Sequence, residues 1–273
     1  MFKRVSMFLY GASIAAALCT PSGVMASHSW GGYHWGRTAD PFVINVGKNL
    51  SGPWLLSSSS LPSPYAGALT DWSKSTVLDL REAPGMTSNT KRCPPTAGRV
   101  EVCNNTYGNN GWLGVAQIWL SGSHITQGVV KLNDTYFNRT LYNTPEWRNL
   151  VMCQELGHII GLDHQDENNG NGNLGTCMDY TNSPATNQHP NEHDYAQIVS
   201  IYNHTDSAGT TTVNQTSPSL PSEAGGNSRS EWGALVRTTH GGRTELFIQD
   251  LGGGHQLATF VIWVEGHNRV PAR

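Results

Sequence analysis

The tightest constraint on this chain is a helix that carries its own start and stop signals. Thr144-Pro145-Glu146 supplies a capping hydroxyl, a proline at the first helical position, where its missing N–H costs nothing, and an acid in the first turn. Gly161 is the usual left-handed terminator. These signals predict a helix from residue 145 to residue 160.

Within and just beyond it runs Cys153-Gln154-Glu155-Leu156-Gly157-His158-Ile159-Ile160-Gly161-Leu162-Asp163-His164. Positions 154 and 158 lie one turn apart on a single helix face, with Glu155 beside them, and a turn at Gly161 lets His164 swing back toward the same point. Three donors around one open position is the arrangement of a catalytic zinc, which acidifies its bound water. A carboxylate placed like Glu155 takes that water's proton and returns it to a leaving amine. With 11 His and 30 Gly in 273 residues, the His-x-x-Gly-x-x-His spacing arises by chance about 0.05 times, so it is treated as a signal.

Glu155, His158, Gly161 and His164 resemble the extended H-E-x-x-H-x-x-G-x-x-H signature of the metzincin metallopeptidases, and the order of elements before them is similar to a matrixin catalytic domain. Thr176-Cys177-Met178-Asp179-Tyr180 resembles the Met-turn that lies beneath the metal in that family. The resemblance spans residues 41–204. It implies an α+β fold, a twisted mixed sheet with an active-site helix, Met-turn and C-terminal helix. It also implies Zn²⁺ held by His158 and His164, Glu155 and Tyr180 as catalytic groups, and Met178 as a structural residue. The implied partner is a polypeptide substrate paired as an extended strand along an open sheet edge at residues 113–120.

One position departs from the family: Gln154 stands where its first metal-binding histidine would be. An amide oxygen is a neutral, harder donor than imidazole, so metal affinity falls by at least about 10–100-fold on the scale of outer-shell losses. Three outcomes are open. Gln154 ligates through Oε1, one of Asp163, His189 and His193 completes the set, or the position holds no metal. The functional alternative to a zinc endopeptidase is a catalytically silent member of the fold acting as an extracellular binding module.

The first 26 residues read as an export signal, with Lys3-Arg4, an apolar run over 7–18 and cleavage after Ala26, which places the mature chain outside the cell. No later run reaches the roughly 20 apolar residues of a membrane span. Cleavage removes Cys19 and leaves Cys93, Cys103, Cys153 and Cys177, an even set that favours two disulfides in an exported chain. Pairing Cys93 with Cys103 and Cys153 with Cys177 is preferred because each bond closes a single loop. With 17 Lys+Arg against 20 Asp+Glu and a net charge of -3, there is no basic field for nucleic acid.

Period-two apolar runs predict strands at 42–46, 77–80, 100–103, 113–120 and 125–132, and helices are expected at 64–72 and from Asn191. Residues 27–204 form the expected catalytic domain. A Thr/Ser/Pro/Asn/Gly stretch at 205–230 reads as a flexible linker, and 231–273 as a small three-stranded β segment, near the lower limit for an independent sheet and so expected either to lean on the main domain or to bind a surface. The oxygen-rich run 165–173 offers carbonyl and carboxylate ligands for Ca²⁺, or is a plain loop.

Overall fold

A computed structural model describes residues 28–59, 61–166, 171–209, 225–238 and 244–267. The export signal, the middle of the linker and residues 167–170 of the oxygen-rich run lie outside the described residues.

Strand β1 (His34–Trp35) is followed by β2 (Phe42–Asn49), which alternates buried Phe42, Ile44 and Val46 with exposed Val43 and Asn45, the period that puts one strand face into a core. Helix α1 (Pro64–Trp72) starts where the Ser63 hydroxyl accepts the Ala66 N–H, and it crosses over to β3 (Leu78–Pro84), which pairs in parallel with β2. β4 (Val100–Asn105) and β6 (His124–Asn133) continue the parallel set, while β5 (Trp112–Ser121) returns antiparallel beside β6. A short α2 (Asp134–Phe137) leads to α3 (Pro145–Ile159) and, later, α4 (Glu192–Ile201). The chain closes with β7 (Ala234–Thr238), β8 (Thr244–Gly252) and β9 (His255–Trp263). Among the described residues this is an α+β architecture with one mixed sheet, ordered β3-β2-β4-β6-β5-β9-β8-β7, and β1 paired to the start of β6.

Every β5 residue from Trp112 to Leu120 is buried, so both faces of this strand are covered. Ala116, Ile118 and Leu120 face the core shared with α1 and α3. Val115 and Trp112 pack with Trp232 and Trp263, and Trp119 packs beside Cys93 and Cys103. Both expected disulfides form, Cys93–Cys103 and Cys153–Cys177.

The expectation of an open edge at 113–120 is overturned. β9 pairs antiparallel with β5 from Trp112↔Trp263 to Ser121↔His255, so the C-terminal strands lean on the main sheet and extend it. The physical reason is that three short strands bury too little apolar surface by themselves, and a free edge of an apolar strand is a strong template for pairing. Both described ends of the linker are also fastened. The Asp206 N–H donates to Arg37 O over 2.7 Å, and buried Lys131 donates through Nζ to Gly225 O over 2.7 Å. Burial lowers the Lys131 amine to about 7. No helix among the described residues is long and apolar enough to cross a membrane.

Candidate active site

Helix α3 begins as its capping signals require, with Thr144 Oγ1 accepting the Trp147 N–H at 3.4 Å. It ends at Ile160, and Gly161 takes φ +99°; a Cβ there would stand 2.3 Å from Tyr33 O, so space and backbone both demand glycine. The N-terminal arm straps this end, with Trp30 N–H donating to Gly161 O (3.1 Å) and Asp163 N–H to His28 O (2.8 Å).

The turn places the expected donors together. His158 Nδ1 lies 2.9 Å from Leu162 O; a carbonyl only accepts, so Nδ1 carries the proton and Nε2 of the neutral ring presents a lone pair. The His164 ring stands 4.5 Å from that of His158 at 78°, and Tyr180 lies against His164 at 4.4 Å. Met178 sits under the helix: a Cβ on Gly157 would meet its Sδ at 2.4 Å, so the Met-turn approaches as close as a missing side chain allows. The Cys153–Cys177 bond ties the residues next to Gln154 and Met178. Glu155 rests on β5, where a Cβ at Gly114 would come within 2.3 Å of its Oε1.

Burial dominates the electrostatics of this region. Glu155 is 0 % exposed, His158 1 %, Gln154 3 % and His164 7 %. Both Glu155 carboxylate oxygens, His158 Nε2 and both His164 ring nitrogens are buried with no hydrogen-bond partner. Burial pushes the Glu155 carboxyl well above its usual range; burial and then the neighbouring His164 push the His158 imidazole well below its own. Buried polar atoms left unpaired cost roughly 1–3 kcal/mol each. The pair of imidazoles offers nitrogen donors suited to a divalent metal of the zinc type, with Gln154 one helical turn from His158 on α3.

None of the three candidate replacements joins the set. The Asp163 carboxylate bonds the Arg237 guanidinium and the His164 N–H, and its Oδ1 stays 3.5 Å from His164 Nδ1. Burial alone would raise the Asp163 carboxyl, but His164 and Arg237 outweigh it and hold it well below the usual carboxylate range. His189 Nδ1 is 2.6 Å from Asp71 Oδ2, and His193 stacks on His28 at 4.7 Å. In the oxygen-rich run, Asp166 accepts from Asn171, while Asp179 beyond it accepts from Leu174 N–H and Asn187, each at 2.8 Å. Among the described residues, the group of three metal-capable His, Cys, Asp or Glu side chains that converges is His34, His204 and Asp206, away from this site.

Sequence reasoning missed what covers and braces the site. Phe260 of β9 stacks on His158 at 4.7 Å and 9°, and it meets Trp30 edge-on at 4.1 Å. The Arg237 guanidinium lies 4.5 Å over the Trp30 ring. Asp194, fully buried, gathers His28 Nε2 (3.0 Å), Gln165 Nε2 (2.8 Å), the Asn191 N–H (2.8 Å) and the Thr176 hydroxyl, so it fastens the arm, the chain after His164 and the Met-turn to α4. Its only sequence signal was an acid in a first helical turn, which reads as an ordinary cap.

A comparison with the models of known protein families finds no match to this chain, and a comparison with curated proteins finds no significant relative.

Proposed function

We propose that this chain is an exported, metzincin-like zinc metalloendopeptidase whose site is closed by its own C-terminal strands. One observation carries this: His158 and His164 stand ring against ring, and His158 Nε2, both His164 ring nitrogens and both Glu155 carboxylate oxygens are buried without a hydrogen-bond partner. Zn²⁺ held by His158, His164 and Gln154 would supply Lewis acidity and lower the pKa of a water. The Leu162 carbonyl fixes the His158 tautomer, and the contact of Gly157 with Met178 fixes the height of the helix. Glu155, whose carboxyl burial raises well above its usual range, holds a proton more tightly than an ordinary carboxylate and would take one from the water and give it to the departing amine. Tyr180, whose ring lies against His164, would donate its hydroxyl to an oxyanion.

The substrate groove is where this site departs from an open one. β9 already pairs along β5, and Phe260 covers His158, so an extended peptide aligns there only after β9 leaves. The two disulfides and the export signal support an extracellular setting. The same cover, together with Gln154, favours a second function, the silent binding module.

The test uses protein purified without added zinc. Zinc lost in His158→Asn, and cleavage of an unfolded polypeptide that is chelator-sensitive and lost in Glu155→Gln, support the peptidase. Zinc content that His158→Asn leaves unchanged, with no cleavage under any condition, sinks it and leaves the binding module.

A further inference from the structure

A second set of histidines meets at the far end of the N-terminal arm. His34 lies on β1 in register with His124, the first residue of β6, and His204 and Asp206 follow α4. His34 Nδ1 is 2.7 Å from Gly32 O. As the carbonyl can only accept, that nitrogen carries the proton and Nε2 of the neutral ring turns a lone pair inward. It faces His204 Nε2 at 3.2 Å, and both nitrogens stand 3.7 Å from Asp206 Oδ1. The carboxylate is held from behind, since its Oδ2 accepts the Arg37 N–H at 2.9 Å while the Asp206 N–H bonds Arg37 O. His124 Nε2 lies 3.1 Å from the same Oδ1.

A His204 Nε2–H donates to this lone pair at 3.2 Å, and a cation that displaces that proton binds both nitrogens and the carboxylate together. The distances say which kind fits. A triangle with these edges has its centre about 2 Å from every corner, the length of a zinc–nitrogen or zinc–oxygen bond. Two imidazoles and one carboxylate are donors suited to zinc and its first-row neighbours, and the part-exposed rims of His124 and His204 leave a fourth position to solvent. His34 and Asp206 also show the outer bonds that ligands of such ions have, to a backbone carbonyl and a backbone N–H.

We infer that His34, His204 and Asp206 form a structural binding site for a zinc-class divalent ion, with His124 bonded to its carboxylate. The ion clamps the N-terminal arm to the chain that leaves α4. The arm is the segment that carries Trp30 onto Gly161 and Phe260, so the clamp steadies one wall of the buried site without belonging to it. This inference is independent of peptidase activity.

The experiment takes the full chain with His158→Asn and His164→Asn, which silences the other set, and equilibrates it with zinc before counting metal by mass spectrometry. One zinc per chain is expected, with cobalt giving tetrahedral absorption bands and no thiolate charge-transfer band. His204 is 42 % exposed, so His204→Asn in that background should fold, as circular dichroism checks, and bind zinc at least about 10-fold more weakly. Removing the ion by chelation should lower the melting temperature of the parent and leave the His204→Asn chain unmoved. No bound zinc in the folded double variant, or binding and melting that His204→Asn does not alter, overturns the inference. If the peptidase proposal alone fails, the wild-type chain still holds one zinc, and His204→Asn removes it.

Discussion

The two histidine groups of this molecule are built on opposite plans. His158 and His164 sit six residues apart around the end of the helix that carries buried Glu155, whose carboxylate oxygens have no hydrogen-bond partner, while Asp163 bonds Arg237. His34 and His204 are 170 positions apart, and their carboxylate, Asp206, faces both rings at the protein's rim. Burial makes the difference chemical. The deep group is short of hydrogen bonds and its acid is pushed toward the neutral form, a state suited to moving protons. The rim group is braced by backbone bonds on its outer side, a state suited to holding a shape.

The largest expected effect isolates proton handling in the deep group. Glu155→Gln keeps the size of the side chain and should lower peptide cleavage by about 10²–10⁴-fold while metal content stays constant; a parallel loss of metal would make Glu155 a ligand instead. Next comes the cover. Phe260→Ala removes the ring stacked on His158 and should cost about 3–5 kcal/mol of stability while raising the rate of cleavage, read by urea unfolding and by peptide assay on one preparation. A variant that is less stable and no faster breaks the claim that β9 closes the groove.

Gln154→His should tighten zinc at the deep group by at least about 10-fold, on the scale of 10–100-fold for lesser disturbances, measured by competition with a chromophoric chelator. Unchanged affinity means that position 154 is not a ligand. The smallest effect is one of pH in metal-free protein. His158 is held below its ordinary 6.5 in the folded chain, so the unfolded chain takes its proton first and stability is lost as pH falls below that value. The slope of urea midpoint against pH between about 5 and 6.5 should flatten in His158→Gln; an unchanged slope would assign the acid loss elsewhere.

How much of this was legible depended on how far apart the cooperating residues are. The bounds of α3, its cap at Thr144, the turn at Gly161 and the two disulfides follow from neighbours in sequence, and each is where local chemistry puts it. So does α1, and so does α4. The two-residue β1 and the single turn of α2 are too short to show any period. The pairing of β9 with β5 was not legible, because an apolar strand announces that it will pair and not with which partner. For the same reason nothing local marks Phe260 as the cover of His158, or joins His34 to Asp206 across the whole length of the main domain. The first-turn acid of α4 concealed Asp194, whose four partners come from three distant segments and the helix's own start.

The pairing of β9 with β5 also sets an order of events. Gln117 and Thr259, which bond across it, are separated by 142 positions, so β9 is synthesised long after β5. Until then β5 waits as an unpaired apolar edge, and such long-range pairings are the slow steps of folding. The nascent chain therefore passes through an interval in which the β5 edge stands open, and the arrival of β9 ends it.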